Sequence, residues 1–229
     1  NIIIMFKIHI ITIFPEVYPG LLNISLLKKA LKNEIWTLSI TDLKKFSKNG
    51  KRIDDSPFGG GPGMIIRPDV LQAAYENILE KNSEISSESF AKVIFTPRGK
   101  RLEQSTIKNW SELNGMVLVC GRYEGFDERF IEKNNFIQTS LGDFVLMGGE
   151  IASMATVESV VRLLPGVLGN KRSLEDESFN NETLEYPQYT RPRIWEGKNV
   201  PQTLLSGNHK EIEKWRKKNT SLHIKKNNS

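Results

Sequence analysis

An α/β fold built on a mainly parallel sheet is the expectation for this 229-residue chain, and three observations carry it. Short β-branched and aromatic runs alternate with segments whose apolar residues recur at helical spacing, the pattern of strand–helix–strand units. Hydrophobic residues make up 38% and charged residues 26%, with 17 glycines, which supports a sizeable core and excludes disordered, collagenous and coiled-coil classes. The single cysteine, Cys120, cannot form an internal disulfide, so the fold rests on its core alone and suits a reducing, cytoplasmic compartment.

Strands are expected at Phe6–Phe14, Trp36–Ile40, Ala91–Thr96 and Met116–Cys120, each bounded by Gly, Pro or polar residues. The first is apolar enough to suggest a targeting signal. Lys7 and His9 interrupt it, however, no basic region precedes it, and no small-residue cleavage site follows. Met5 reads as the natural first residue. No run of 18 apolar residues occurs, so a membrane-spanning role has no support. Helices are expected over Ser25–Asn33 and Arg67–Lys81, the second with Pro68 and Asp69 in its first turn.

The strongest helical pattern runs from Gly149 to Leu164. Ile151, Met154, Val157, Val161 and Leu164 form its apolar stripe, Glu158 stands four residues before Arg162, and Pro165-Gly166 ends it. Asn170–Thr183 then turns polar and reads as an exposed, mobile linker. The remainder is a smaller unit whose clearest element is a helix near Lys210–Asn219, with Ile212 and Trp215 as a narrow apolar face. This divides the chain into residues 5–168, a linker at 169–186, and a C-terminal part at 187–229.

Charge is unevenly placed. Of the formal +5, all resides in Lys210–Ser229, where seven Lys or Arg face only Glu211 and Glu213. A cationic end on a balanced protein suits a polyanionic partner, because clustered charge releases counterions from phosphates. Lys44, Lys45, Lys48, Lys51 and Arg52 add a smaller basic cluster.

Three glycine loops stand out: Gly59-Gly60-Gly61-Pro62-Gly63, Gly121-Arg122-Tyr123-Glu124-Gly125, and Gly142-Asp143 leading to Gly148-Gly149-Glu150. In open α/β sheets ligands sit beyond the carboxyl ends of strands, where glycine lets backbone approach closely. No Lys-Ser/Thr follows the first loop and no G-x-G-x-x-G opens a helix, so the usual nucleotide fingerprints are absent. The three histidines, His9, His209 and His223, are far apart and lack metal-ligand spacing. His9 reads as structural, Cys120 as a small buried hydrophobe, and no hydroxyl has a neighbouring base, so covalent catalysis is not expected.

Taken together, these segments resemble the bacterial tRNA (guanine-N1)-methyltransferases, the TrmD family of the SPOUT superfamily. The resemblance runs from Met5 to about Lys218. It is carried by Ile13-Phe14-Pro15-Glu16, Asp54-Asp55-Ser56-Pro57-Phe58-Gly59-Gly60-Gly61-Pro62-Gly63-Met64, and Val119-Cys120-Gly121-Arg122-Tyr123-Glu124-Gly125-Phe126-Asp127-Glu128-Arg129. Further on come Gly142-Asp143-Phe144-Val145-Leu146, Gly148-Gly149-Glu150, Pro165-Gly166-Val167-Leu168-Gly169, Tyr189-Thr190-Arg191-Pro192 and Leu205-Ser206-Gly207-Asn208-His209. Each is weak alone; in order and at family-like spacing they are specific.

The resemblance implies a deep trefoil knot in the α/β domain, a small helical C-terminal domain that binds tRNA, and a homodimer. It implies S-adenosyl-L-methionine as methyl donor, held by Phe95, Pro97, Gly121, Tyr123, Glu124, Leu141, Gly142, Asp143, Phe144, Val145 and Leu146, with Gly148 and Gly149 behind them. The implied reaction is methylation at N1 of the guanine immediately 3′ of the tRNA anticodon. Arg162 is the implied stabilising cation. The base is Glu177 by register or Asp176 by residue type, since the family pattern is Asp before Ser-Phe and here Glu177 precedes Ser178-Phe179. Implied tRNA contacts are Asp55, Gly60, Arg191, Ser206, Asn208, His209, Lys214 and Lys217. A Mg²⁺ requirement goes with the family, and Glu124 is its candidate contact. Gln188 stands where the family has His, and the chain ends without an Arg-rich extension; with Glu177, these departures motivate the alternative of a knotted RNA-binding protein without catalysis. Arg162 and the intact cofactor loops argue against that alternative.

Overall fold

The computed structural model describes residues 5–47, 52–85, 88–168 and 186–227, the side chains of 221–227 excepted. The chain divides into two compact units, Asn1–Gly169 and Asn170–Ser229.

The first unit is a three-layer α/β/α arrangement around a five-stranded parallel sheet. Its strands are β1 (Phe6–Thr12), β2 (Trp36–Asp42), β5 (Phe90–Arg101), β6 (Gly115–Val119) and β7 (Ile137–Ser140), in the order β2-β1-β6-β5-β7. The central strands β1 and β6 are buried along nearly their whole length. That is why they read as continuous apolar runs: a parallel sheet covered on both faces has no polar side. Gly115 is required where β6 starts, because a Cβ there would lie 2.1 Å from the Lys7 carbonyl oxygen.

Helices α1 (Ser25–Lys32), α3 (Gln104–Ser111) and α5 (Glu150–Val161) share a core with Phe6, Ile8, Ile10, Val93 and Leu118 on one face of the sheet. Trp36 lies wholly inside it and donates from Nε1 to the Leu27 carbonyl at 3.1 Å, satisfying its one polar atom. On the other face α2 (Pro68–Lys81) and α4 (Glu128–Asn134) pack over Ile11, Ile94, Val117 and Val119. There Phe130 stacks on Phe136 at 5.2 Å, with Tyr75 edge-on to both. A short hairpin, β3 (Asp54–Asp55) and β4 (Ile65–Ile66), carries the first glycine loop.

The apolar stripe expected on α5 needs correction. Ile151 is 63% exposed, whereas Glu150, Ala152, Ser153, Thr156, Val157, Val160 and Val161 are buried. Polar side chains occupy the buried face because each finds a partner: Ser153 and Thr156 donate to the carbonyls of Glu150 and Ala152, both at 2.8 Å. Ile151 joins Val17, Leu21, Ile24 and Leu26 as exposed apolar positions around the place where Gly20–Asn23 meets α5. Among the described residues no helix is long and apolar enough to cross a membrane.

The second unit contains the two-stranded hairpin β8 (Ile194–Trp195) and β9 (Lys198–Asn199), the short α6 (Gln202–Leu205) and the longer α7 (His209–Asn227). Ile212 and Trp215 are half-buried in the helix expected there, as is Asn219. Tyr186 and Tyr189 meet Trp215 edge-on at 6.5 and 6.2 Å, and the Arg216 guanidinium lies over Tyr186 at 4.9 Å. Asn208 caps α7 by accepting the Glu211 N–H at 3.3 Å.

Candidate functional site

A cleft of about 210 Å³ opens at the carboxyl ends of β5, β6 and β7, where an α/β sheet presents backbone to ligands. Three segments wall it. The first is a bulge: β5 pairs Thr139 of β7 through both Phe95 and Lys100, so Thr96 to Gly99 loop out between them. Gly99 closes this bulge against the Thr139 backbone, where a Cβ would approach to 2.4 Å.

The second wall is the turn after β6. Gly125 N–H donates to the Arg122 carbonyl at 3.2 Å, and Tyr123 holds φ of 59°, an uncommon conformation for a residue with a side chain. This turn is tied to the first glycine loop, since Glu124 N–H donates to the Met64 carbonyl at 2.9 Å and Ile66 N–H to the Gly125 carbonyl at 3.0 Å. The third wall runs from Leu141 through Gly149 into α5. Gly149 N–H donates to the Gly121 carbonyl at 3.0 Å, bringing the second and third walls together, and a Cβ at Gly149 would lie 2.8 Å from the Cys120 Cα.

Of the residues assigned to the cofactor from sequence, Phe95, Pro97, Gly121, Tyr123, Glu124, Leu141, Phe144, Val145, Leu146, Gly148 and Gly149 line the cleft. Gly142 and Asp143 do not. The Ser140 hydroxyl brackets Gly142, donating to its carbonyl at 3.0 Å and accepting its N–H at 3.3 Å, while Asp143 faces solvent and pairs with Arg101. Sequence reasoning missed Thr96, Arg122, Gly125, Phe126, Thr139, Ser140, Met147 and Ala152 as lining residues. Arg122, Gly125 and Met147 lay inside or beside motifs already singled out. Thr139, Ser140 and Ala152 gave no signal of their own.

Beneath the cleft, Tyr18 Oη sits 3.3 Å from Cys120 Sγ and also bonds the Ser153 hydroxyl. Burial pushes the Cys120 thiol up to about 12, and burial, with the neighbouring thiol, raises Tyr18 as well. Both stay protonated, so Cys120 is a packing residue and no thiolate nucleophile. His9 is buried against Phe90, and burial lowers its pKa, with Glu84 opposing and Lys7 adding to the effect.

Arg162 follows the last turn of α5, while Glu150 opens that helix beside the cleft. Ala152 is the last residue of α5 on the cleft, and Arg162 lies ten residues further on, about 15 Å at 1.5 Å per residue, which separates it from the cleft of its own chain. Asp176, Glu177 and the expected linker lie outside the described residues. Asp55 and Gly60 lie on the exposed hairpin and its loop, where Asp55 accepts the Ser56 N–H at 2.8 Å. In the second unit Arg191, Ser206, Asn208 and His209 are exposed, and Lys214 and Lys217 pair with Glu211 and Glu213 at 3.1 and 2.8 Å. Among the described residues no group of three His, Cys, Asp or Glu side chains is placed to hold a metal ion.

Comparison with known proteins adds an independent line. A family model described as tRNA (Guanine-1)-methyltransferase TrmD matches residues 6–229. The tRNA (guanine-N(1)-)-methyltransferase of Ruegeria pomeroyi is 45% identical over 214 residues, 93% of this chain and 86% of that protein. The protein of the same name from Neorickettsia sennetsu is 46% identical over 207 residues, 90% and 89% of the two chains. That of Ehrlichia canis is 44% identical over 223 residues, 96% and 92%.

Proposed function

Because the chain belongs to the TrmD family of tRNA (guanine-1)-methyltransferases, we propose that it transfers a methyl group from S-adenosyl-L-methionine to N1 of the guanine immediately 3′ of a tRNA anticodon. The observation that carries this reading is the cleft itself, which gathers glycine-lined backbone from three separate loops at the carboxyl ends of adjacent strands.

The cleft's chemistry fits the methyl donor. Phe95, Leu141, Val145 and Leu146 supply apolar walls, backbone at Gly121, Gly148 and Gly149 is open to close approach, and Glu124 brings a carboxylate suited to a cation. When bound, S-adenosylmethionine supplies an activated methyl on a positively charged sulfur, which leaves as a neutral thioether. Tyr123, Phe144 and Val145 are exposed apolar residues on the cleft and would exclude water around the reacting atoms. A Mg²⁺ ion, where used, would meet Glu124.

Guanine N1 carries a proton at neutral pH and is a poor nucleophile. Glu177 or Asp176 takes that proton as general base, and Arg162 stabilises the negative charge that develops on the neighbouring oxygen. No nucleophilic side chain is needed, consistent with the protonated Cys120.

Arg162 lies about 15 Å along α5 from its own cleft, and the exposed apolar surface around Ile151, Leu21 and Ile24 is unusual for a lone protomer. Both features support a homodimer in which each cleft is completed by Arg162 and the acidic linker of the partner subunit. The knot expected of the family belongs to residues 5–168, with its threading among the cleft loops. The part at 187–229, small and helical, grips tRNA phosphates with Arg191, Lys214 and Lys217 and positions the anticodon stem with Ser206, Asn208 and His209. Asp55 and Gly60 meet the RNA from the first unit. A tRNA-modifying enzyme of this kind works in the cytoplasm.

The test is transfer of labelled methyl from S-adenosylmethionine to an unmodified tRNA transcript with guanine 3′ of the anticodon. Wild type should form N1-methylguanine, Arg162→Ala should be at least about 100-fold slower, and only one of Asp176→Ala and Glu177→Ala should be inactive. A wild type that binds both ligands and transfers nothing overturns the reading in favour of a non-catalytic RNA-binding protein.

A further inference from the structure

Behind the cleft lies a charged pair that the reaction as written does not use. Glu150 is buried, 5% exposed, at the first position of α5. Its Oε2 accepts from Arg122 Nε at 3.1 Å and forms an ion pair with Nη2 at 2.9 Å, and its Oε1 accepts from the Thr12 hydroxyl at 2.8 Å. Arg122 reaches further. Its Nη1 donates to the Met147 carbonyl at 3.3 Å, and its guanidinium lies over the Phe14 ring at 4.6 Å. Gly148 makes room for it: a Cβ there would come within 2.2 Å of Arg122 Nε. The pair therefore touches the end of β1, the turn after β6, and the segment that leads from β7 into α5.

A buried ion pair adds little stability beyond an apolar pair of similar volume, because desolvating both charges offsets their attraction. What such a pair does supply is direction, since a guanidinium fork and a carboxylate meet in one geometry. We propose that Arg122 and Glu150 are positioning residues for methyl transfer, an ionic strut that sets the spacing between two walls of the cleft and so the pose of the bound methyl donor. The proposal rests on reading the cleft as the S-adenosylmethionine site.

The test compares full-length wild type with Arg122→Met, Glu150→Gln and the double variant Arg122→Met/Glu150→Met. The readouts are thermal midpoint, calorimetric Kd for S-adenosylmethionine and for S-adenosylhomocysteine, and the separate kcat and KM of methyl transfer. Arg122→Met leaves the buried Glu150 carboxylate without its partner cation and should lose midpoint temperature, whereas Glu150→Gln leaves a guanidinium that is 26% exposed and should lose less. The double variant should regain it, yet bind S-adenosylmethionine at least about tenfold more weakly, with KM raised in parallel. A double variant that matches wild type in both Kd and KM overturns the proposal, because the pair is then structural only. If the double variant does not fold, Arg122→Lys decides: it keeps the charge but loses the fork, and a wild-type Kd and KM there overturns the proposal equally. A wild type that takes up no S-adenosylmethionine removes the cofactor reading itself, and the strut falls with it.

Discussion

His9 is the residue at which burial and protonation pull apart. Its Nε2 is buried without a hydrogen-bond partner, and its pKa is lowered from 6.5 chiefly by burial, with Glu84 and Lys7 the charges nearby. The unfolded chain takes up a proton near pH 6.5, while the folded chain resists until lower pH. Stability is therefore fully present above pH 6.5 and declines as pH falls through the folded pKa. His9→Leu removes this titration. Urea midpoints followed from about pH 8 to about pH 5 should fall less steeply for the variant than for wild type; parallel curves would show that His9 takes up no proton on unfolding. Glycines give a second contrast at this scale. At Gly149 a Cβ meets the Cys120 Cα at 2.8 Å and the Gly121 nitrogen at 3.0 Å, backbone atoms that cannot swing aside. Gly149→Ala should cost about 1–3 kcal/mol and weaken cofactor binding at least about tenfold. Gly60, at φ +78° with open space around it, meets nothing. Gly60→Ala should cost only the backbone strain, about 1–2 kcal/mol, with cofactor affinity unchanged; calorimetry on both variants separates the two cases.

At the scale of elements, α7 depends on its cap. Asn208 accepts the Glu211 N–H, so Asn208→Ala should cost the helix about 1 kcal/mol, read as faster amide exchange in its first turn, apart from any effect on tRNA. The strands most legible in the sequence are β1, β6 and the first half of β5, which read as apolar runs because both faces of the sheet are covered there. β2, at the sheet edge, has only Trp36 buried and is legible from its β-branched and aromatic residues instead. β7 went unread: it is four residues long, Ile137 is 46% exposed at the sheet edge, and Gln138 bonds Glu128 in place of packing. α3 and α4 give no period because each contains only two hydrophobic residues, Ile107 with Trp110 and Phe130 with Ile131, whereas α1, which also buries only two, carries Leu26, Leu27, Ala30 and Leu31 at helical spacing. The stripe expected on α5 holds at Val157, Val161 and Leu164, which are buried, and at Met154, which packs against the core, but fails at Ile151, which is exposed while Glu150, Ser153 and Thr156 are inside. The cleft was legible to the extent that glycine marks close backbone approach. Thr96, from the bulge in β5, and Thr139 and Ser140, from β7, join the lining only once strands are paired.

For the molecule as a whole, the distance between Arg162 and its own cleft makes a prediction about mixtures. A homodimer with shared sites should regain activity when an inactive Arg162→Ala protein is refolded together with a Gly149→Ala protein and assayed at a cofactor concentration too low for the Gly149→Ala protein alone, because one of the two clefts then has both an intact wall and an intact arginine. Up to about half the per-dimer rate is expected of each mixed dimer, and a mixture as inactive as its components would mean that Arg162 serves its own chain. The basic end should appear as salt dependence: Lys214→Ala and Lys217→Ala should weaken tRNA binding and flatten its decline with salt by about one unit of slope each, leaving cofactor affinity alone.

The hairpin loop and the turn after β6 share two backbone hydrogen bonds, Glu124 N–H to Met64 and Ile66 N–H to Gly125, and Gly63 presses on the Glu124 side chain so closely that a Cβ there would come within 2.4 Å. On the proposed reading, the loop that meets the tRNA and the turn that walls the cofactor cleft are thus parts of a single hydrogen-bonded backbone assembly. Thermodynamic reciprocity then applies: whatever factor the small ligand adds to the affinity for the large one, the large one must return to the small.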